Sequence, residues 1–146
     1  MQTTMRLIAA AAILSIDAMA GGFWLTLGNP AASAEAQAVH AVVTVMPTGC
    51  HNPAEAKLTA TAEGVVNGKR ASIPVKLTPL GKPGFYAIAR QWPAEGKWAL
   101  RVVGEYNGAL TSALIPLKDA SADRRAAKYQ AGIPGEQDVA ALLASN

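Results

Sequence analysis

Chemistry-bearing side chains are scarce in this chain of 146 residues, which has a single cysteine, Cys50, and two histidines, His40 and His51. One cysteine cannot form a disulfide within the chain, so the hydrophobic core alone has to hold the fold. The sequence also lacks Gly-x-Ser-x-Gly, His-Glu-x-x-His and Cys-x-x-Cys-His motifs and any glycine-rich phosphate loop. These absences argue against the enzyme and cofactor classes that the motifs identify, and we expect no enzymatic activity.

Aromatic residues and excess charge are scarce as well. Phe, Trp and Tyr make up 5% of the residues, and 13 Lys and Arg against 10 Asp and Glu give a net charge of +3. The charges are scattered, and the densest basic cluster is Arg124, Arg125 and Lys128. Because a nucleic-acid site combines a basic patch with stacking aromatics, we expect no nucleic-acid partner and attribute the charge to solubility.

What the sequence does have is a long apolar run near its start. Met1–Arg6 carries one basic side chain, Leu7–Leu27 is almost wholly apolar, and Gly28-Asn29-Pro30 follows. Ala32-Ser33-Ala34 then offers the small residues after which signal peptidases cut. We therefore predict that residues 1–34 are a signal peptide, cleaved after Ala34, and that the protein is periplasmic or secreted.

Two alternatives for this segment stay open. Ala18-Met19-Ala20 is a second cleavage candidate, directly after the ten-residue apolar stretch Leu7–Ile16. Alternatively, residues 7–27 stay uncleaved as a helix that anchors the protein to the inner membrane, since about 20 apolar residues can span a bilayer. Against the anchor stands Asp17, because a carboxylate at the centre of a span costs roughly 2.5–3.5 kcal/mol on insertion scales.

Residues 35–117 show the pattern of an antiparallel β-domain. Asn67-Gly68 and Asn107-Gly108 are typical of two-residue hairpin turns, because both positions tolerate positive φ. Trp98, Leu100 and Val102 alternate with polar or small residues, as in a strand with one buried face, which places Trp98 in the core. Regular turn spacing without intervening helices predicts an all-β sandwich of six to seven strands.

The last segment, residues 118–146, differs from the strands before it. Asp119 or Ser121 is a candidate cap for a short helix through Arg124–Tyr129. Glu136 and Asp138 would lie in the first turn of a second short helix, where acidic side chains favour the helix dipole. We predict a partly helical tail that either docks on the sandwich or frays.

The run from Gly84 to Val102 resembles the last strands of small extracytoplasmic immunoglobulin-like domains of the YtkA-like and FixH-like kind, with CopC-type copper proteins more distant. The matching residues are Gly84, Tyr86, Pro93, Gly96, Trp98, Leu100 and Val102. The resemblance implies an immunoglobulin-like sandwich for residues 35–117. The FixH-like part implies an accessory role in cytochrome oxidase assembly only if the first segment stays uncleaved, because FixH-like proteins are usually membrane-anchored.

One polar loop is the candidate site for metal or thiol chemistry. Met46, Cys50 and His51 lie within a loop rich in Pro and Gly, and thioether, thiolate and imidazole are ligands that suit copper. A metal usually takes three or four protein ligands, and this loop supplies at most three. Two other interpretations stay open, namely a reactive Cys50 whose pKa is lowered by His51, and a Cys50 that is simply packed under the loop.

Trp92 is the candidate residue for contact with a partner. It stands just before Pro93, where the strand alternation gives it no definite face, and an exposed tryptophan would be a strong anchor. The sequence thus favours an exported, non-catalytic binding or accessory domain of the bacterial cell envelope that contacts a protein. The alternatives are copper handling by Met46, Cys50 and His51, or a thiol-dependent role of Cys50. A membrane contact is expected only if the first segment stays uncleaved.

Overall fold

Two antiparallel sheets pack face to face in the computed structural model, which describes residues 22–146. The strands are β1 Trp24–Gly28, β2 Ala41–Thr48, β3 Lys57–Val66, β4 Lys69–Val75, β5 Thr78–Pro79, β6 Tyr86–Ala89, β7 Lys97–Tyr106, β8 Ala109–Lys118, β9 Ser121–Ala122 and β10 Lys128–Ala131. The helices are α1 Ala34–Ala38 and α2 Glu136–Ala144, and three short 3-10 turns lie at Pro30–Ala32, Pro53–Glu55 and Arg124–Ala126. The prediction of an all-β sandwich is confirmed.

The strand order places β1 and β4 at sheet edges. The four-stranded sheet runs β1-β2-β6-β5, and the six-stranded sheet runs β10-β8-β7-β3-β4 with β9 added to β8. The described residues therefore hold more strands than the six to seven expected, because β1, β5, β9 and β10 are short strands that propensity alone does not reveal. Pro74 lies on edge strand β4, the kind of strand in which proline is tolerated within a sheet.

Both predicted hairpin turns are confirmed. Asn67-Gly68 joins β3 to β4 with φ of 51° and 74°, and Asn107-Gly108 joins β7 to β8 with φ of 49° and 80°. Positive φ at both central residues matches the right-handed twist of the flanking strands. Local turn chemistry therefore sets the register of the two longest hairpins.

The core fills the space between the sheets. The alternation of β7 places Trp98, Leu100 and Val102 inside, as predicted, and each is at most 4% exposed. The Trp98 ring lies against Gly64 on β3, where an added Cβ would overlap ring atoms Cδ2 and Cζ3 at 2.6 Å. Its Nε1 donates to the carbonyl of Glu95 at 2.9 Å, so the buried indole has its polar group satisfied.

The start of the described chain differs from the sequence prediction. The anchor alternative predicted a helix over residues 7–27, and this is wrong for residues 24–27, which belong to strand β1. Residues 1–21 of the predicted leader lie outside the described part of the chain. The physical reason is the alternation of Leu25, 2% exposed and in the core, with the exposed side chains of Trp24 and Thr26. Five β1 residues pair with β2, from Trp24 opposite Thr48 to Gly28 opposite Thr44.

The tail contains one of its two predicted helices. The helix expected through Arg124–Tyr129 is wrong, because Asp123 caps only the 3-10 turn Arg124–Ala126 and the chain then pairs with β8 as β10. The second helix is confirmed as α2, with Glu136 and Asp138 in its first turn. Its apolar stripe docks on the outer face of the six-stranded sheet, so the tail does not fray. No helix among residues 22–146 is long and apolar enough to cross a membrane.

Candidate binding end of the sandwich

Strand register brings several segments together at one end of the sandwich, which we call the loop end. The start of β1 pairs with the end of β2, as Trp24 with Thr48. The start of β3 pairs with the end of β7, as Lys57 with Glu105. The Phe23 and Tyr106 rings join these two pairs across the sandwich, with centroids 5.9 Å apart at 44°. The loop that contains Cys50 and His51 follows β2 directly and therefore also belongs to the loop end.

Trp24 is the most prominent side chain of the loop end. It is 47% exposed on edge strand β1, on the face opposite to buried Leu25. Its ring lies against Gly49, where an added Cβ would come within 2.6 Å of Cζ3 and would also overlap the carbonyl of Gly22. Gly49 has a φ of +77°, which glycine adopts without strain. The loop after β2 thus seats the indole and leaves nearly half of it in solvent.

A small mixed surface surrounds this indole. Thr26 is exposed on β1, and its hydroxyl lies 2.7 Å from that of Thr48 on β2. Met46 is opposite Thr26 in the register and is half-buried on the same outer face. We call these four side chains, Trp24, Thr26, Met46 and Thr48, the Trp24 patch. Its aromatic, thioether and hydroxyl groups suit a protein contact, where Trp and Met are enriched.

Trp24 was not a candidate from sequence, because it lies within the apolar run Leu7–Leu27 that predicts a leader. The signal that could have found it is the short alternation of Trp24, Leu25, Thr26 and Leu27 between two breakers, Gly21-Gly22 and Asn29-Pro30. A period of two indicates a strand even in a run of four residues, but the long apolar stretch before it masks the change.

The predicted metal and thiol residues lie in one region. Met46 is on β2, Cys50 is a half-buried free thiol two residues beyond that strand, and His51 is exposed. Within residues 22–146, no group of three or more His, Cys, Asp and Glu side chains is arranged to hold a metal ion. Any site here would therefore depend on the Met46 thioether, and the copper site stays a prediction.

Trp92 does not offer the exposed ring that the predicted partner contact requires. It is 5% exposed and packs in the core between the sheets. Its carbonyl accepts a hydrogen bond from Arg90 Nε at 3.2 Å. The physical reason is that the irregular segment after β6 is held to Lys76 by the Gln91 side chain, and the Trp92 indole packs in the core. The prediction of Trp92 as a partner-binding residue is corrected by this burial, and the exposed tryptophan of the described chain is Trp24.

An ion-pair network centred on one buried carboxylate lies on the outer face of the six-stranded sheet, at the start of α2. The Glu63 carboxylate, with its side chain 4% exposed, contacts Arg101 Nη2 at 2.8 Å and Arg70 Nη2 at 3.1 Å. Arg70 Nε also donates to Glu136 Oε1 at 2.6 Å, and this hydrogen bond lowers the pKa of the Glu136 carboxyl below its ordinary value. The network ties the start of α2 to the sheet.

An apolar groove of about 330 Å³ lies beside this network. Its lining residues are Val65, Arg70, Lys97, Ala140, Leu143 and Ala144. The cationic groups on its rim already have protein partners, because Arg70 contacts two carboxylates and Lys97 Nζ donates to the carbonyl of Asn146 at 2.8 Å. An anion in the groove would therefore have to compete with these protein partners for Arg70 and Lys97.

Comparison of the chain with protein-family models, with curated proteins and with solved structures gives no match.

Proposed function

We propose that this chain is an exported, non-catalytic binding domain of the bacterial cell envelope, with an immunoglobulin-like fold, that contacts a protein partner through its loop end. The observation that carries the proposal is the Trp24 indole, 47% exposed on an edge strand and seated on Gly49. A rigid, half-exposed tryptophan loses little conformational freedom on binding and buries a large area. Trp is accordingly enriched among the residues that dominate interface energies.

The strand orders support the immunoglobulin-like part of the proposal. In chain order, β1, β2, β5 and β6 correspond to strands A, B, D and E of that fold, and β3, β4, β7 and β8 correspond to C, C′, F and G. The observed orders β1-β2-β6-β5 and β8-β7-β3-β4 then read A-B-E-D and G-F-C-C′. The YtkA-like and FixH-like resemblance stays a prediction. In such sandwiches the loops cluster at the two ends, where binding sites commonly lie.

The position of β1 adds a second argument for a protein partner. Among residues 22–146, β1 is the outermost strand of its sheet, so the backbone groups on its outer side face no further strand there. An extended segment of a partner can pair with such an edge while the indole anchors a side chain. Thr26, with its side chain on the exposed face of β1, lies next to both elements of this contact.

The proposal is tested by site-specific photocrosslinking in cells of the source organism. A photoreactive amino acid replaces Thr26 in the Trp24 patch or, as a control, Lys69 at the opposite end of the sandwich. Both positions are exposed, so both variants should fold. We expect a discrete higher-mass adduct from position 26 and none from position 69. Equal adducts from both positions, or none from either, would contradict the proposal.

Copper handling is the second candidate, because the structure places Cys50 and His51 directly after the strand that carries Met46. Titration of the exported domain with Cu(I) in the presence of a competing chelator measures the affinity. This function predicts that Cys50→Ala weakens Cu(I) binding at least about tenfold, since the thiolate is a soft ligand and the only anionic one of the three donors. Equal affinity in the two proteins removes Met46, Cys50 and His51 from consideration.

A further inference from the structure

We infer that residues 22–34 belong to the folded domain and that the exported protein is processed after Ala20, so that its mature chain begins at Gly21. This inference rests on the proposed export. It decides between three incompatible fates of the first segment, namely cleavage after Ala34, cleavage after Ala20, and retention as a membrane anchor.

Cleavage after Ala34 would remove a strand that the sandwich needs. β1 pairs with β2 at five positions, from Trp24 to Gly28. Leu25 is 2% exposed and lies against Gly104 of the other sheet, where an added Cβ would meet its Cδ2 at 3.0 Å. Without β1, the core would lose Leu25 between the sheets, and β2 would become the unprotected edge.

The residues between β1 and Ala34 are also part of the fold. Asn29 Oδ1 accepts from Ala31 N at 3.1 Å and caps the 3-10 turn, and Ser33 Oγ accepts from Ala36 N at 3.2 Å and caps α1. Gln37 Nε2 donates back to the carbonyl of Ala31 at 3.0 Å. A cut after Ala34 would remove both caps and leave fully buried Ala36 as the second residue, next to the charged amino terminus.

Retention as an anchor conflicts with the same strand. An anchor over residues 7–27 would need Trp24–Leu27, which are already paired in β1. Gly22 and Phe23 are not helical, so the fifteen residues from Leu7 to Gly21 remain. As a helix they would span roughly 22 Å, at about 1.5 Å per residue, against about 30 Å of hydrocarbon. Asp17 would lie within this short span. The chain can therefore form β1 or a full-length anchor from these residues, but not both.

Cleavage after Ala20 satisfies every one of these contacts. Ala18-Met19-Ala20 has small residues at the first and third positions before the cut, and the ten-residue run Leu7–Ile16 has the length of a signal core. A membrane-bound signal peptidase would hydrolyse the Ala20–Gly21 amide. Water supplies the oxygen of the new Ala20 carboxylate, and the amide nitrogen becomes the Gly21 ammonium. Gly22, Phe23 and all of β1 are kept.

The test is the amino terminus of the full-length chain expressed with its own leader in a Gram-negative host. Intact-mass analysis and amino-terminal sequencing of the periplasmic fraction should give one species that begins at Gly21. Ala20→Gln should lower the processed fraction at least about tenfold, because the last residue before the cut has to be small. The matched variant Ala34→Gln, at an exposed position, should be processed like the wild type.

A mature chain that begins at Glu35, or an unprocessed chain held in the membrane fraction, would overturn the inference while leaving export intact. An unprocessed chain in the cytosol would overturn the proposed export itself. The two failures are therefore distinguishable in one fractionation.

Discussion

The outer faces of the two sheets differ in how much of their apolar surface the chain itself covers. On the six-stranded sheet, α2 covers the outer face with Val139, Leu142 and Leu143, and Glu63 beneath it has two arginine partners. On the four-stranded sheet, edge strand β1 leaves Trp24 47% exposed beside two threonine hydroxyls. The first side is occupied by the chain itself, and the second presents a large apolar ring to solvent.

The three described tryptophans show the same contrast between covered and exposed apolar surface. Trp92 and Trp98 are 5% and 4% exposed and lie in the core, whereas Trp24 lies outside it. A buried indole contributes to folding, but an exposed one contributes little to the stability of the free domain. The exposed part of its surface contributes free energy only when a partner buries it. We therefore assign binding to Trp24 and stability to the other two tryptophans.

The largest expected effect separates these tryptophans. Trp92→Ala should lower the free energy of unfolding by about 3–5 kcal/mol, because it opens a cavity between the sheets. Trp24→Ser should lower it by less, about 1–2 kcal/mol, because nearly half of this side chain is already in solvent and its removal opens no cavity between the sheets. Urea denaturation of both variants measures the difference. Similar losses in the two would mean that Trp24 is structural, and the binding assignment would fall.

The next effect concerns β1. Leu25→Ala should cost about 2–5 kcal/mol, since the side chain is in the core, while Thr26→Ala beside it should cost less than about 1 kcal/mol. The comparison uses adjacent residues on opposite faces of one strand. If Leu25→Ala were as mild as Thr26→Ala, β1 would not be part of the stable fold.

A smaller effect is expected under α2. Glu63→Ala should lower stability by about 1–3 kcal/mol, because it leaves two partly exposed arginines without their shared carboxylate. Glu136→Gln removes only the exposed end of the network and should cost less. Thermal unfolding measures the stability of both variants. An equal loss in the two would show that buried Glu63 contributes no more to stability than exposed Glu136.

The parts of the fold and of the candidate site that could be predicted from sequence are those set by residues close together in the chain. The hairpins at Asn67-Gly68 and Asn107-Gly108 and the core face of β7 follow from turn chemistry and alternation within a few residues. Arg124–Tyr129 resembles a short helix, but the open edge of β8 pairs with its last residues, a contact distant in sequence. Whether Trp92 faces the core or the solvent is not set by local alternation, because it depends on how the two sheets pack. The Trp24 patch requires β1 and β2 to be paired, which no local pattern specifies.

The smallest effect is a pH dependence of α2 docking. Because Arg70 lowers the pKa of Glu136, this carboxyl stabilises the folded state above its ordinary value of 4.5, and the contribution is lost as the pH falls through the lowered value. The thermal midpoint of the wild type should therefore fall more steeply on acidification than that of Glu136→Gln. Parallel pH profiles for the two proteins would remove this ion pair from the account.

The claim that the Trp24 patch binds a protein is tested most directly by combining the photoreactive residue at position 26 with Trp24→Ser, in a variant that thermal unfolding shows to be folded. Leu110→Ser, at another exposed apolar residue, is the matched control. We predict that Trp24→Ser lowers the adduct yield at least about tenfold, as expected for the loss of an interface hot spot, and that Leu110→Ser leaves it unchanged. An undiminished adduct in the folded Trp24→Ser variant would contradict the account.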